Sequence, residues 1–172
     1  MNYAEEIAAT RGLETVDLED RPIGGDSHGE PGLRASHVFL LDDHDRVLLQ
    51  VTGQRHRNPS RFGSSTAGFV LRGERYRDAA LRRLAEEIGV HPKLEYIGRI
   101  KSPERDTFKF SSVFVGRHTG QIRPLLPEHV AGVYWYSSEQ ILDLYREDST
   151  QFTPSFPYTF GLLMVFAGKG LG

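Results

Sequence analysis

Two adjacent carboxylates, Glu86 and Glu87, follow closely on two arginines, Arg82 and Arg83. Side-by-side carboxylates are hard oxygen donors. Magnesium takes one or two of them and completes its shell with water and substrate phosphate. A divalent ion held this way neutralises a diphosphate and positions or activates water. The competing reading is a solvated helix face laced by i,i+4 ion pairs such as Arg82 to Glu86. For an isolated Glu-Glu pair that plainer reading is the usual one. Here Gly68 and Gly73-Glu74 precede the acids and Gly89 follows them, and this setting favours the metal.

The elements that must position these side chains follow from periodicity. The spacing of Ala80, Leu81, Leu84, Ala85 and Ile88 predicts a helix over Arg75 to Ile88, apolar on one stripe, with Arg82, Arg83, Glu86 and Glu87 opposite and Gly89 as the stop. Before it, Leu13 to Leu18 and Arg21 to Ile23 read as two short strands around an acidic turn at Glu19 and Asp20, and Gly24 to Gly32 as a loop. Ser36 to Leu41 and Arg46 to Val51 form a predicted hairpin, turned by Asp42-Asp43-His44-Asp45. Gly53 to Gly63 reads as a basic loop and Ser64 to Val70 as a short strand. After the helix come strands at Leu94 to Ile100, Phe108 to Val115 and Val130 to Tyr136. Ser137 with Gln140 makes a capping box ahead of Ile141 and Leu144. Thr153-Pro154 reads as a last helix start, placing Phe156, Phe160 and Leu163 or Met164 in the core. Strands, one central helix, strands and two helices imply an α+β fold in the α/β/α sandwich range, with helices packed on a mixed sheet.

At 172 residues the chain suits one domain: a core at about 35–150, an N-terminal hairpin extension at 1–34 and a C-terminal helix at 151–172. It holds no cysteine, so disulfides, thiolate metal sites and thiol nucleophiles are excluded. A reducing cytoplasm is the default compartment. The formal charge of -2 points to neither nucleic acid nor membrane. The apolar run around Phe160 to Phe166 is far shorter than the roughly 20 residues of a membrane span.

Gly68 to Val90 resembles the Nudix box, Gly-x5-Glu-x7-Arg-Glu-U-x-Glu-Glu-x-Gly-U, where U is bulky and aliphatic. It matches at Gly68, Glu74, Arg82, Leu84, Glu86, Glu87, Gly89 and Val90. The similarity spreads over roughly Leu13 to Phe166. Thr15-Val16-Asp17 through Pro22-Ile23-Gly24, Arg34 to Phe39, Ser65-Thr66-Ala67-Gly68 and Phe152-Thr153-Pro154 resemble the branch of isopentenyl-diphosphate isomerases and their hydrolase relatives. The resemblance implies the Nudix fold, with the box helix and the C-terminal helices on a mixed sheet. It also implies attack of water on a diphosphate with magnesium or manganese. Carried over residue by residue, Glu86 and Glu87 are the expected metal ligands, joined by the backbone carbonyl of Ala67. Glu74 is expected to support the loop and helix through Arg82, alongside Gly68, Gly73 and Gly89. A further acid from a distant loop is expected at Glu128, with Glu104 as the second choice. Arg55, Arg61, Arg83 and Phe69 are candidate substrate contacts, for phosphates and for a nucleobase. The implied partner is a small-molecule diphosphate, bound by a monomer or homodimer.

One box position departs. Where the family has the glutamate after arginine, this chain has Arg83. Arg83 shares a helix face with Glu86 and Glu87. Its guanidinium can pair with them and compete with a metal, reach a substrate phosphate, or point to solvent. Isopentenyl-diphosphate isomerases also carry arginine here, but their chemistry needs a cysteine. The place of their Cys-Ser-His-Pro stretch reads Ser65 to Phe69. A diphosphate hydrolase with an atypical box is therefore the first expectation. A binding module without turnover is the alternative.

Overall fold

The computed structural model describes residues 3–23 and 31–168. A helix α1 (Tyr3–Arg11) opens the chain, followed by β1 (Thr15–Val16), β2 (Gly32–Leu41), β3 (Val47–Thr52), β4 (Phe62–Gly63) and β5 (Thr66–Phe69). The central helix is α2 (Tyr76–Ile88). After it come β6 (Glu95–Glu104), β7 (Thr107–Arg117), β8 (Val130–Tyr136), α3 (Ser138–Glu147), a 3-10 turn at Ser149–Gln151 and α4 (Phe156–Phe166). The fold is α+β, a mixed sheet with helices on it.

β2 organises the sheet. It runs parallel to β7 from Leu33↔Lys109 to Leu41↔Arg117 and antiparallel to β5 from Ala35↔Phe69 to Val38↔Thr66. β3 meets β2 only where the turn joins them, at Leu41↔Val47, and continues instead against β8. Asp42 makes that turn. Its carboxylate accepts the backbone N–H groups of His44 and Arg46, and Asp45 adopts a φ of 57°. Because strand side chains alternate, neighbouring β2 residues feed opposite cores. Val38 and Leu40 join Ala80, Leu84 and Ile88 of α2 on one face. Phe39 joins Phe156, Phe160 and Leu163 of α4 and Ile141 of α3 on the other.

Several elements differ from their expected limits. α1 falls where the sequence carried no element, and it ends at Gly12 with a φ of 66°. β2 begins at Gly32, four residues before the expected Ser36, because parallel pairing with β7 extends it. Most of the expected Gly24 to Gly32 loop, residues 24–30, lies outside the described residues. The N-terminal hairpin is minimal: β1 pairs mainly with β2, and a single bridge joins Val16 to Pro22. α4 starts at Phe156 after Ser155, with Pro157 in its first turn, rather than at Thr153-Pro154. Its core residues are nevertheless as expected: Phe156, Phe160, Leu163 and Met164 are all buried.

Asp20 ties the N-terminal segment to the body. Its carboxylate is 1% exposed and receives Arg34 at 2.6 Å, Arg99 at 2.7 Å and the Tyr76 hydroxyl at 2.7 Å. Burial and this bond to Asp20 push the Tyr76 phenol well above its ordinary range. Among the described residues no helix is long and apolar enough to cross a membrane.

Candidate functional site

α2 buries Ala79, Ala80, Leu84 and Ile88, and with them Glu87. The helical period explains this. Position 87 borders the stripe of 80, 84 and 88, so Glu87 turns inward while Glu86 stays partly exposed. The side chain of Glu87 is 3% exposed and that of Glu86 is 44% exposed. Leu81, expected in the stripe, is exposed instead. Gly89 terminates the helix with a φ of 67°, its N–H bonding the Leu84 carbonyl.

Arg83 joins the two acids. Its Nη1 lies 3.1 Å from Glu86 Oε2 and its Nη2 lies 3.2 Å from Glu87 Oε1. Of the three courses open to this guanidinium, the structure shows the first: it spans the carboxylates. Gly68 makes room for it. A Cβ at Gly68 would sit 2.6 Å from Arg83 Cγ and 2.7 Å from Cδ. The seating is incomplete, however. Arg83 Nε and Glu87 Oε1 are buried without a well-aligned hydrogen bond among the described residues. Burial pushes the Glu87 carboxyl up to about 7, against the opposing pull of Arg83 and a backbone hydrogen bond from Ala67.

The box support is closed. Arg82 Nε and Nη2 bind both oxygens of Glu74 at 2.8 and 3.0 Å, and Nη2 also donates to the Phe69 carbonyl at 3.1 Å. Glu74 Oε1 accepts the Leu71 N–H as well. Burial alone would raise the Glu74 carboxyl, but Arg82 and the Leu71 N–H hold it below its ordinary value. Gly73, at φ 78°, makes the turn into the helix.

The remaining candidates separate. Arg55 pairs with Glu128 at 3.0 Å, both side chains well exposed. No hydrogen bond or ion pair between described side chains links either one to Glu86 or Glu87. The loop carrying Glu128 does abut α2, since the Leu125 N–H donates to the Glu87 carbonyl at 2.7 Å. Arg61 lines a cavity of about 240 Å³ beside Tyr145 and Thr153, away from the acids. A second cavity, about 370 Å³, flanks the N-terminal end of α2. Neither of these two cavities is lined by Glu86 or Glu87. Phe69 is half-buried, with the cations of Arg11 and Arg57 over its ring at 5.4 and 5.3 Å.

A group of buried polar side chains beside Ala67 was not legible in the sequence. Lys109 is 5% exposed and lies 3.2 Å from Glu104, which Arg57 also grips through both oxygens. Glu104, the second choice for a distant acid, is thus already engaged. His37 hydrogen-bonds Ser64 through Nδ1 at 3.0 Å, while its Nε2 and the Ser111 hydroxyl have no partner among the described residues. Burial, reinforced by Lys109 and Arg57, pushes the His37 imidazole down to about 3, so it is neutral. The strand register unites these residues. Lys109, Ser111 and Val113 lie opposite Leu33, Ala35 and His37 on one sheet face. Only the alternation within each strand could have hinted at this, and it cannot pair one strand with another.

No three His, Asp or Glu side chains converge as a metal cluster among the described residues. Two carboxylates, one with a buried oxygen that its ion pair with Arg83 leaves without a well-aligned hydrogen bond, still suit a hard cation that completes its shell with substrate and water.

The NUDIX domain family model matches residues 31–156 of this chain. An isopentenyl-diphosphate Delta-isomerase of Streptomyces coelicolor is 32% identical over 80% of this chain and 76% of its own length. A prenyl-diphosphate phosphatase of Methanosarcina mazei is 24% identical over 90% of this chain and 94% of its own. Among solved structures, a Deinococcus radiodurans protein superposes with a TM-score of 0.66 at 20% identity, covering 79% of this chain and 89% of that one.

Proposed function

The chain belongs to the NUDIX family, and on that premise we propose that it is a divalent-metal-dependent hydrolase of a small-molecule diphosphate. The observation that carries the reading is the pair of acids, Glu86 and Glu87, beside the Ala67 strand at the end of a fully formed box helix. Relatives named for prenyl and isopentenyl diphosphates make an isoprenoid diphosphate one substrate class, beside nucleoside-diphosphate derivatives. The absence of cysteine argues against isomerisation.

Glu86, Glu87 and the Ala67 carbonyl would hold magnesium or manganese, which when bound screens phosphate charge and lowers the pKa of water. Arg83 releases the two carboxylates and turns its fork to a phosphate oxygen. Glu74 and Arg82 keep the helix and the Gly68 strand in register meanwhile. Glu128 is proposed as the distant acid, brought in from its exposed pair with Arg55 by the loop that touches Glu87. Hydrolysis forms one bond from water oxygen to phosphorus and breaks one bridging oxygen–phosphorus bond.

The seated Arg83 also supports a second reading, in which the domain binds a diphosphate intact and does not turn it over. A magnesium and manganese screen against isoprenoid and nucleoside diphosphates, with Glu87→Gln as control, separates the two. Metal-dependent cleavage lost in the variant supports hydrolysis. Intact ligand recovered from a saturated complex refutes it.

A further inference from the structure

The cavity of about 370 Å³ at the N-terminal end of α2 lies on the same sheet face as the box helix. It is separate from the acidic pair. Ten residues of helix, from Arg77 to Glu87, put roughly 15 Å between them. Arg75, Arg77 and Arg99 line it together with Tyr76, Tyr96 and the buried Ser112.

Among the described residues, two of these arginines are held at one edge. Arg77 Nη1 donates to the Leu94 carbonyl at 2.7 Å, and its guanidinium lies over Phe114 at 5.2 Å. Arg99 Nη1 donates to Asp20 at 2.7 Å, and its guanidinium lies over Phe110 at 5.3 Å. A guanidinium carries several N–H donors in a fixed fork, so most of each fork remains for a ligand. Charge favours an anion. Asp20 is shared between Arg34 and Arg99, and Arg77 has no carboxylate partner among the described residues.

Ser112, 2% exposed, lines the cavity as well. One further observation points to a ligand. Tyr96 offers a large aromatic surface, 52% exposed, backed by Phe114 at 5.7 Å. Guanidinium forks beside an exposed, backed ring suit a phosphate attached to a planar base. The volume falls within the range of small-ligand pockets.

We propose that this cleft is a second binding site, for a nucleoside-monophosphate-type ligand. The phosphate meets Arg77 and Arg99, and the base stacks on Tyr96. The assignment is independent of the reading of Glu86 and Glu87.

The test is calorimetric titration of the full chain, with chelator present, using AMP and inorganic phosphate as probes. The expected result is saturable AMP binding about tenfold tighter than phosphate, the worth of one stacking platform. Arg77→Gln and Tyr96→Ser should each weaken AMP by about tenfold. Tyr96→Ser should leave phosphate binding unchanged, and Glu87→Gln should leave both unchanged. Tyr96 is exposed, so its variant reports on the site even if Arg77→Gln perturbs the fold. Three results would overturn the proposal: no saturable AMP binding, phosphate binding as tight as AMP, or AMP binding lost in Glu87→Gln and kept in Tyr96→Ser.

Discussion

Replacing Arg83 by alanine should tighten divalent-metal binding, because the guanidinium occupies the position between the carboxylates that a cation needs. The magnitude follows from the two contacts. Glu86 is 44% exposed, so its pair with Arg83 at 3.1 Å is screened and contributes well under about 1 kcal/mol. Glu87 is buried, and a unit pair about 4 Å apart at an effective dielectric of about 20 is worth about 4 kcal/mol before desolvation is charged against it. Arg83 regains water on leaving, so a net competition of about 2 kcal/mol is a fair working figure, or roughly 30-fold in Kd. Manganese titration by calorimetry at about pH 8, above the Glu87 value of about 7, measures it directly. Thermal melting gives an independent check. Without metal the variant leaves Glu87 buried and unpaired and should melt lower than the parent, and manganese should restore much of the loss. An unchanged or weaker manganese affinity in Arg83→Ala would refute the reasoning. Arg83 would then be a supporting group for the acids and not their occupant.

Glu87→Gln should abolish metal binding yet stabilise the metal-free protein. Its folded carboxyl titrates near 7 against an ordinary 4.5, so stability falls as pH rises between those values, and the amide should recover about 1–3 kcal/mol at neutral pH, read from denaturant midpoints. His37 acts in the opposite pH direction. Its folded value of about 3 lies below the ordinary 6.5, so its contribution is complete above pH 6.5 and about 2 kcal/mol is lost by pH 5, a loss that should vanish in His37→Gln. Asp20→Asn should cost about 3 kcal/mol by urea unfolding, since Arg34 and Arg99 lose their buried counter-charge while asparagine tolerates the φ of 61°. Phe39→Ala should cost about 3–5 kcal/mol, because its ring packs edge-on to Phe156 and Phe160 in the core under α4.

The box was legible because it is local. Gly68, Glu74, Arg82, Glu86, Glu87 and Gly89 lie within about six helical turns of chain, and periodicity with one turn sets their mutual directions. The Gly89 stop, the Asp42 turn and the Ser137 capping box followed from such short-range rules, while the Glu74–Arg82 clamp was implied by the resemblance to the Nudix box. The same rules place β3, β7 and β8 to within a residue or two, but they read β4 at Phe62–Gly63 as loop and stop short of the end of β6 at Glu104. They fail for α1, which carried no legible element, and for the start of β2, which pairing with β7 decides.

Tertiary structure alone decided what the side chains meet. The sequence placed Arg83, Glu86 and Glu87 on one face, but it could not choose among a metal competitor, a phosphate ligand and a solvated arginine. The vacancy left by a missing Cβ at Gly68, on β5, seats Arg83 against the acids. Burial beneath the sheet then separates Glu87 from Glu86, although the two are chemically identical neighbours. Lys109, Glu104 and Arg57 gather beside His37 only through the β2–β7 and β6–β7 registers. Arg77, Arg99 and Tyr96 share a cleft for the same reason. Contacts between distant segments depend on which strands pair, and strand pairing is a property of the whole chain's packing that no local pattern encodes.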